Sequence, residues 1–309
     1  MILRNLGKSG LRVSLVGLGC NNFGQRMDLQ SSQAVIHKAL DCGITLFDTA
    51  DVYGGRGGSE TVLGTVLGER RKDIVLASKF GMAMDDAEKN GASRRYIMAA
   101  VEASLKRLKT DWIDLYQQHR HDPLTPIDET LRALDDLVRE GKVRYIGNSN
   151  FTAAQTVEAQ LTARQLNLAA FASCQDEYSL LRRGLERENL GVMERYGLGL
   201  LPYFPLASGL LTGKHKRGAA ASGTRLAMPM FAGVMTEKNF DIVEKLEAFV
   251  KARGRTMLEL AFSWLATRPT VASVIAGATK PEQVRSNAAA ASWELSLDEL
   301  ATLADLWPG

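Results

Sequence analysis

Short apolar runs alternate with longer amphipathic segments from one end of the chain to the other. Each run has the length of a buried strand, and the segments between them repeat their apolar positions every three or four residues, as helices do. The predicted strands span residues 15–19, 44–47, 74–78, 113–118, 144–148, 171–175, 199–203 and 271–275. This alternation of strand and helix predicts a parallel sheet built from repeated strand–helix units.

Three helix starts are marked by their residue types. Ser59 and Thr152 each precede a helical pattern, where a hydroxyl group caps the first turn, and Pro281 opens another at the first helical position. Eight strand–helix units in about 250 residues are typical of an α/β protein with a (β/α)8 barrel, the TIM-barrel fold, whereas a doubly wound sheet of this length more often divides into two domains. We therefore predict a single barrel domain over residues 1–309.

Two segments lie outside the eightfold pattern. Residues 3–13 form an N-terminal hairpin with turn glycines at Gly7 and Gly10, which we expect to plug the bottom of the barrel. A long polar loop after the seventh strand, residues 212–236, exceeds the roughly 12 to 15 residues usual for an unstructured connection, which is typical of a lid or a substrate loop.

Composition excludes several classes of protein. The chain has 309 residues, of which 45% are hydrophobic and 24% charged, and its net charge is only +3. Because no block of Lys or Arg stands out, we predict no nucleic-acid partner. Cys20, Cys42 and Cys174 have neither disulfide-framework nor metal-site spacing, so we predict no metal. No apolar run reaches about 18 residues and no signal peptide is evident, so we expect a cytoplasmic protein that does not contact membranes.

Polar residues stand at the ends of three successive predicted strands. Asp48 follows the second strand, with Tyr53 five residues later, Lys79 follows the third and His119 follows the fourth. Each of them alone is more often a turn, packing or surface residue. Catalytic groups of a parallel barrel come from the C-terminal ends of several strands, so their occurrence in order predicts an active site.

Two other features near these residues are given a plainer interpretation. The glycines of residues 54–58 lack the Gly-x-Gly-x-x-Gly spacing of a dinucleotide fingerprint, so we expect them to let the loop bend around Tyr53. His121 competes with His119, but the spacing from Tyr116 favours His119 as the catalytic histidine.

The chain resembles the aldo-keto reductase superfamily over its full length. The motifs that carry the resemblance are Gly17-Leu18-Gly19, Phe47-Asp48-Thr49-Ala50-Asp51-Val52-Tyr53-Gly54, Ser59-Glu60, Ser78-Lys79, Leu115-Tyr116-Gln117-Gln118-His119, Gly147-Asn148-Ser149-Asn150 and Pro205-Leu206-Ala207-Ser208-Gly209-Leu210-Leu211-Thr212-Gly213-Lys214. The resemblance implies a barrel oxidoreductase with a catalytic tetrad of Asp48, Tyr53, Lys79 and His119.

Elementary chemistry agrees with the implied tetrad. Reducing a carbonyl group needs a proton donor at the oxygen, and a phenol with a pKa of about 10 is a reluctant donor at neutral pH. Lys79 is expected to lower the pKa of Tyr53, and Asp48 to hold the charge of Lys79. His119 then orients the carbonyl, and Tyr53 is the general acid.

The resemblance also implies an extended nicotinamide dinucleotide, NADPH in preference to NADH, with NADH as the alternative. The residues expected to bind it are Gly19, Cys20, Asn21, Ser149, Asn150, Gln175, Tyr203, Phe204, Pro205, Leu206, Ala207, Gly209, Leu211, Lys214, Gly277, Ala278, Thr279, Lys280, Gln283 and Asn287. Phe23, Phe80, Met228 and Phe231 are expected to contact the substrate, a small carbonyl compound.

The resulting hypothesis is an NADPH-dependent reductase of aldehydes or ketones. A second hypothesis keeps the cofactor but not the turnover, because some members of the superfamily are redox-sensing regulatory subunits of channels. A third is a lyase or isomerase barrel that uses Lys79 as a Schiff-base amine. Dinucleotide binding separates the third hypothesis from the first two.

Overall fold

The structure is a computed structural model that describes residues 1–84, 90–215, 217, 226 and 233–306. The strands within these ranges are β1 Leu3–Asn5, β2 Arg12–Ser14, β3 Val16–Gly19, β4 Leu46–Asp48, β5 Val75–Phe80, β6 Ile113–Gln118, β7 Val143–Ser149, β8 Ser173–Gln175, β9 Gly199–Leu200 and β10 Val274–Gly277. The helices are α1 Leu29–Asp41, α2 Tyr53–Arg56, α3 Gly58–Val66, α4 Arg94–Leu108, α5 Ile127–Arg139, α6 Ala153–Gln165, α7 Asn189–Tyr196, α8 Glu237–Lys251, α9 Met257–Ala266, α10 Pro281–Ala290 and α11 Leu297–Leu306. Short 3-10 helices cover Gly68–Asp73, Gly184–Glu186 and Ala207–Thr212.

Eight parallel strands form one sheet in the order β10-β3-β4-β5-β6-β7-β8-β9. The two ends of the sheet meet where Leu200 of β9 forms a parallel bridge with Val271, just before β10. The Leu200 amide donates to the Thr270 carbonyl at 2.7 Å, and the Ala272 amide donates to the Leu200 carbonyl at 2.9 Å. The predicted (β/α)8 barrel is confirmed.

Side-chain alternation along the strands separates two apolar layers. Leu46, Ala77 and Leu115, from β4, β5 and β6, pack together inside the barrel, while a larger cluster fills the space between strands and helices. Because side chains two positions apart point to the same face, Asp48 and Lys79 lie directly above Leu46 and Ala77. The barrel interior therefore supports the catalytic candidates from below.

The predicted N-terminal hairpin is confirmed, since β1 and β2 pair antiparallel. Leu6 and Val13 are fully buried and join the apolar cluster inside the barrel. Gly7 adopts a φ of +58°, and a Cβ there would lie 2.2 Å from the Gly197 carbonyl oxygen. The hairpin packs this closely against the segment before β9, which places it at the N-terminal end of the barrel.

Two of the three marked helix starts are confirmed. Thr152 caps α6 in a capping box with Gln155, and Pro281 opens α10. The prediction for Ser59 is wrong, because α3 begins at Gly58, two residues before the predicted start, after Gly57 with its φ of +109°. The Ser59 hydroxyl instead donates to the Cys20 carbonyl at 2.8 Å, which ties α3 to the end of β3.

Most of the predicted loop 212–236 lies outside the described residues, including Met228, Met230 and Phe231. Arg217, within that stretch, forms ion pairs with Glu237, Asp241 and Glu244 of α8. In the described ranges, no helix combines the length and the hydropathy that crossing a bilayer requires.

Candidate active site

A cleft of about 890 Å³ opens where the barrel strands end at their C-terminal side. It is lined by Gly19, Cys20, Asn21, Asn22, Arg26, Asp48, Tyr53, Met82, His119, Arg120, Ser149, Asn150, Gln175, Tyr203, Phe204, Pro205, Leu206, Ser208, Gly209, Thr212, Lys214, His215, Leu258, Ile275, Ala276, Gly277, Ala278, Thr279, Glu282, Gln283, Ser286 and Asn287. Three of the four catalytic candidates line this cleft, and Lys79 lies behind them.

Asp48 and Lys79 form a buried ion pair at the ends of β4 and β5. The Lys79 ammonium donates to both Asp48 carboxylate oxygens, at 2.9 and 2.8 Å, and to the Thr49 carbonyl at 2.9 Å. The Lys79 side chain is completely buried. Gln175 also donates to Asp48, at 2.7 Å, so the carboxylate is held from two strands. These contacts fix the position and the charge of the ammonium.

Tyr53 is presented by a sharp bend after β4. Gly54 adopts a φ of +71°, and a Cβ there would lie 2.4 Å from both the Phe23 carbonyl oxygen and the Ser59 nitrogen, so the bend requires glycine. The Lys79 Nζ lies 5.0 Å from the centre of the Tyr53 ring. The glycines after Tyr53 thus let the loop fold back on itself, as expected.

The pKa of Tyr53 corrects one expectation. Burial raises this pKa above its ordinary value, and the nearby Lys79 charge lowers it only in part. The net direction is therefore upward, whereas the sequence led us to expect a lowered pKa. The reason is that the sequence shows the neighbouring ammonium but not how far folding removes the phenol from water.

His119 lies across the cleft from Tyr53 at the end of β6. Its ring meets the Tyr53 ring edge to face, with centroids 5.6 Å apart, and its amide donates to the Phe80 carbonyl at 2.8 Å. Burial, with the positive charges of Lys79 and Arg120, lowers the pKa of His119 to about 3. The imidazole is therefore neutral at neutral pH and suited to hydrogen bonding rather than to carrying charge.

His121, the competing histidine, has a different surrounding. Its ring packs edge to face against Phe151, with centroids 5.4 Å apart. It is absent from the cleft lining, which contains His119. The structure thus brings together the four residues chosen from the sequence and leaves His121 apart from them.

The side chains expected to hold the nicotinamide end form one connected network. Asn150 donates to the His119 carbonyl at 3.1 Å, and the Tyr203 hydroxyl donates to Asn150 at 2.7 Å. Ser149 donates to the Gln175 carbonyl at 2.7 Å. These residues all line the cleft beside Asp48, so the same side chains border the catalytic residues and the expected cofactor site.

Sequence reasoning missed Asp176 in this network. Asp176 accepts from the backbone amide of Asn150 at 3.0 Å, which holds Asn150 in its left-handed conformation with a φ of +59°. Burial raises the pKa of Asp176 to about 7. Its position directly after Gln175, at the end of β8, was the available signal.

The segment expected to face the cofactor phosphates has an unusual backbone. Phe204, Ala207, Ser208 and Gly209 all have positive φ. Phe204, Pro205, Leu206, Gly209 and Lys214, which we expect to bind the cofactor, line the cleft. Ala207 and Leu211 are not among the lining residues, and both side chains are buried in the core, so any contact of theirs with a cofactor would be made by the backbone.

The expected adenosine end lies between β10 and α10. Gly277, Ala278, Thr279, Gln283 and Asn287 line the cleft, and Gln283 accepts from the Thr279 amide at 2.7 Å. Lys280, expected there too, is exposed at the N-terminal end of α10, directly after Thr279, and is not itself among the lining residues. Glu282 and Ser286, which lie in the same segment and on the same helix, also line the cleft.

The residues that line the cleft come from several parts of the fold. They include Asp48, Tyr53 and His119, the irregular backbone at Gly209, and residues of the first turn of α10. Among the described residues, a Cβ at Gly209 would meet His215 Nε2 alone, at 3.6 Å. Helix N-termini favour negatively charged groups.

The predictions for substrate contacts hold less well. Phe23 and Phe80 are fully buried, and Phe80 packs on Tyr116 with ring centres 4.9 Å apart, so the structure corrects the prediction that they contact substrate. Met228 and Phe231 lie outside the described residues. Arg26 and Arg120 line the cleft instead.

Comparison with known proteins extends over nearly the whole chain. The sequence model of the Aldo/keto reductase family matches residues 15–308. A Bacillus subtilis protein named "Uncharacterized oxidoreductase YrpG" is 37% identical over 322 residues, covering 98% of this chain and 95% of the relative. The L-glyceraldehyde 3-phosphate reductase of Escherichia coli K12 is 34% identical over 300 residues, covering 93% and 86%.

A relative that is named as a channel subunit has a similar sequence identity to this chain. The probable voltage-gated potassium channel subunit beta of Arabidopsis thaliana is 36% identical over 296 residues, covering 93% of this chain and 90% of the relative. Proteins similar to this chain thus include both named reductases and named channel subunits.

Proposed function

Because the chain belongs to the aldo/keto reductase family, we propose that it is an NADPH-dependent oxidoreductase that reduces aldehydes or ketones to alcohols. The observation that carries the proposal is the buried Asp48–Lys79 ion pair beside Tyr53, with the neutral His119 ring across the cleft. Relatives named as oxidoreductases support the general class.

The cofactor would lie along the cleft, from the catalytic residues to α10. Ser149, Asn150 and Gln175 would border the nicotinamide and Tyr203 its ring face, while the segment from Phe204 to Lys214 would face the phosphates. When bound, the reduced nicotinamide supplies the hydride that the carbonyl carbon accepts, and it is left as NADP⁺. No side chain in the cleft has to accept electrons.

Tyr53 would supply the proton that the carbonyl oxygen gains. Its raised pKa keeps the phenol protonated at neutral pH, and the Lys79 ammonium stabilises the phenolate that remains after the transfer. Asp48 keeps Lys79 charged, and the phenolate recovers its proton from solvent through the open cleft. His119, being neutral, would hold the carbonyl oxygen by a hydrogen bond.

The state of Lys79 argues against a Schiff-base enzyme. Burial lowers the pKa of Lys79, but the charge of Asp48 and contact with Tyr53 more than compensate, so the net pKa is raised. An amine nucleophile must be unprotonated to attack a carbonyl. A buried ammonium that donates to both carboxylate oxygens of Asp48 is suited to stabilising charge instead.

A regulatory protein that binds the nicotinamide cofactor with little turnover is the second candidate. The channel-subunit relative favours it. Both roles need the cofactor site, so binding alone does not distinguish them. The complete set of Asp48, Tyr53, Lys79 and His119 favours the enzyme, because binding a dinucleotide does not require a buried ion pair beneath a phenol.

The experiment follows NADPH absorbance with a panel of activated aldehydes, in parallel with NADH. Wild-type protein and the Tyr53→Phe variant are compared, and cofactor binding to each is measured by fluorescence titration. We expect wild-type turnover, at least a hundredfold loss of kcat in the variant as for other general acids, and similar cofactor affinity in both.

Each alternative has its own result. Cofactor binding without turnover on any aldehyde supports the regulatory protein. A Tyr53→Phe variant with the wild-type rate removes Tyr53 as the acid. If neither cofactor binds, the dinucleotide proposal fails, and trapping of a substrate on Lys79 by borohydride then tests the Schiff-base enzyme.

A further inference from the structure

Asn150 has an unusual backbone for a residue with a side chain. Its φ is +59°, in the left-handed region that residues other than glycine seldom occupy. The Asn150 amide donates to Asp176 Oδ1 at 3.0 Å and, at the longer distance of 3.2 Å, to the Gln175 carbonyl. Asp176 thus supplies the side-chain acceptor that holds the backbone of Asn150 in this conformation.

The backbone of Asn150 decides where its side chain points. The Nδ2 group donates to the His119 carbonyl at 3.1 Å and to Ser149 Oγ at 2.9 Å, and Oδ1 accepts from the Tyr203 hydroxyl at 2.7 Å. These partners come from the ends of β6 and β7 and from the segment after β9. A change in the backbone of Asn150 would therefore displace a side chain that joins three parts of the cleft wall.

The Asp176 side chain does not reach the cleft itself. It is only 5% exposed, and it is absent from the lining, which contains Asn150 and Tyr203. Among the described residues, Asp176 Oδ2 has no hydrogen-bond partner, so the carboxyl group is buried for its one contact with the Asn150 amide. Burial of a carboxyl group costs free energy, and such groups are concentrated at functional sites.

We propose that Asp176 is a positioning residue for the cofactor, which acts through Asn150 on the nicotinamide end of the site. The inference rests on the proposed function, in which Ser149, Asn150 and Gln175 border the nicotinamide. Asp176 fixes the Asn150 backbone before the cofactor binds, so less conformational freedom is lost on binding. Removal of the carboxyl group should therefore weaken cofactor binding and spare the chemical step.

The test measures the dissociation constants of NADPH and NADH by fluorescence titration, which needs no turnover. Asp176→Ala should raise the dissociation constant about fivefold, the change that corresponds to a net contribution of about 1 kcal/mol from one hydrogen bond. Asp176→Leu keeps the branched shape without an oxygen and should give the same change, so that a cavity is not the cause. Asp176→Asn keeps an acceptor oxygen and should restore the wild-type affinity to within about twofold.

Two further measurements separate positioning from a general loss of structure. For an aldehyde that the wild type reduces, the KM for NADPH should rise with the dissociation constant, while kcat at saturating NADPH changes less than about twofold. The reason is that, in the described part of the chain, the Asp176 carboxyl group hydrogen-bonds to none of the four catalytic candidates. In the free protein, hydrogen exchange of the Asn150 amide should be faster in Asp176→Ala and unchanged in Asp176→Asn.

Asp135 provides a matched control away from the cleft. This aspartate is 7% exposed, and its Oδ1 accepts from the Ala169 amide at 2.8 Å. Its other carboxylate oxygen pairs with Arg139, and Asp135 is absent from the cleft lining. Asp135→Ala removes the same kind of hydrogen bond to a backbone amide, and it should leave the dissociation constant of NADPH unchanged.

A double variant tests whether Asp176 acts through Asn150. Asn150→Ala alone should weaken cofactor binding, and adding Asp176→Ala should weaken it no further, because the side chain that Asp176 positions is already absent. Effects that add would show that Asp176 acts by another route and would overturn the inference. A similar loss of affinity in Asp135→Ala would overturn it as well.

The remaining outcomes separate this inference from the reductase proposal. Unchanged cofactor affinity in Asp176→Ala and Asp176→Leu, together with reduction of an aldehyde, overturns the inference and leaves the reductase standing. Cofactor affinity that depends on Asp176, without turnover of any aldehyde, supports the inference and removes the reductase activity. If the wild-type protein binds neither NADPH nor NADH, both proposals fail.

Discussion

Asp48 depends on a single ammonium for its charge balance, so replacing Lys79 should be costly to stability. The Lys79→Met variant leaves the buried carboxylate with Gln175 as its remaining side-chain donor. Breaking a buried ion pair from one side typically costs about 3–5 kcal/mol. We expect a loss of that size in the free energy of unfolding, measured by urea denaturation near neutral pH.

A double variant tests the cause of that loss. Adding Asp48→Asn to Lys79→Met removes the unpaired charge, and we expect the double variant to be more stable than the single one. If Lys79→Met alone loses less than about 1 kcal/mol, the carboxylate is not charged in the folded protein and the pair is not an ion pair.

The lowered pKa of His119 leads to a prediction about pH. Because the pKa of His119 in the folded protein is about 3, the ring stays neutral as the pH falls from about 8 to about 5. A histidine in the unfolded chain gains a proton near pH 6.5. The unfolded state thus binds more protons below that pH, so His119 makes the protein less stable as the pH falls. We expect its ring proton resonances to stay fixed in this range in NMR spectra.

A His119→Asn variant provides the control, since it removes the titrating ring in both states. The fall in the free energy of unfolding between about pH 7 and pH 5 should be smaller in the variant than in wild type. A ring resonance that moves with a midpoint near 6.5 would contradict the burial of His119 on which its neutral role depends.

The grouping of the four catalytic candidates was predictable from the sequence, but their environments were not. Asp48, Lys79 and His119 stand at or just after strand ends, and that position is visible in the sequence. The net upward pKa of Tyr53 and the support of Asn150 by Asp176 depend on loops that meet only in the folded chain. Position along the chain shows which groups are near the site, and burial decides their chemistry.

Helix α6 offers a direct test of a start signal that the sequence contained. In the capping box, the Thr152 hydroxyl accepts from the Gln155 amide at 3.2 Å and Gln155 accepts from the Thr152 amide at 2.9 Å. Thr152→Ala should lower the free energy of unfolding by about 1 kcal/mol. Thr152→Ser keeps the oxygen and should match wild type in urea unfolding, and equal losses in the two variants would show that the hydroxyl is not the cause.

The order of the strands was predicted correctly, whereas the bounds of several strands differ from the prediction. Residues 113–118 were predicted with the bounds that β6 has. The last strand was predicted at 271–275 and β10 begins at Val274, since Val271 forms only a single bridge to Leu200. Apolar residues just before a strand and within it look alike, and only pairing with the neighbour separates them.

Closure of the barrel depends on the number of strand–helix units, which can be counted in the sequence. It also depends on contacts between the first and last strands of the sheet, which cannot be read from the sequence. Eight strand–helix units favour a closed sheet. The substrate contacts were the weakest prediction, because Phe23 and Phe80 were chosen by residue type near strand ends and both point into the core. The type of a side chain does not distinguish the wall of an apolar pocket from the apolar core.

Stability and activity should be separable in this molecule, because the hairpin and the cleft occupy opposite ends of the barrel. Leu6 is fully buried among the interior residues at the N-terminal end. Leu6→Ala removes most of this buried side chain and should lower the free energy of unfolding by about 2–5 kcal/mol, as the same substitution does at other buried leucines. Its kcat/KM on any aldehyde that the wild type reduces should change less than twofold at a temperature where the protein stays folded.

Leu3→Ala is the matched control, since Leu3 lies in the same hairpin but is 39% exposed. It loses the same atoms, and its smaller burial predicts a much smaller loss of stability. A similar loss of stability in both variants would mean that the burial of the Leu6 side chain is not the cause of the loss. A fall in kcat/KM with Leu6→Ala would instead show that the cavity displaces Asp48 and Lys79 through the apolar layer that packs beneath them. The alternation along β4 and β5 makes that layer the physical connection between the two ends.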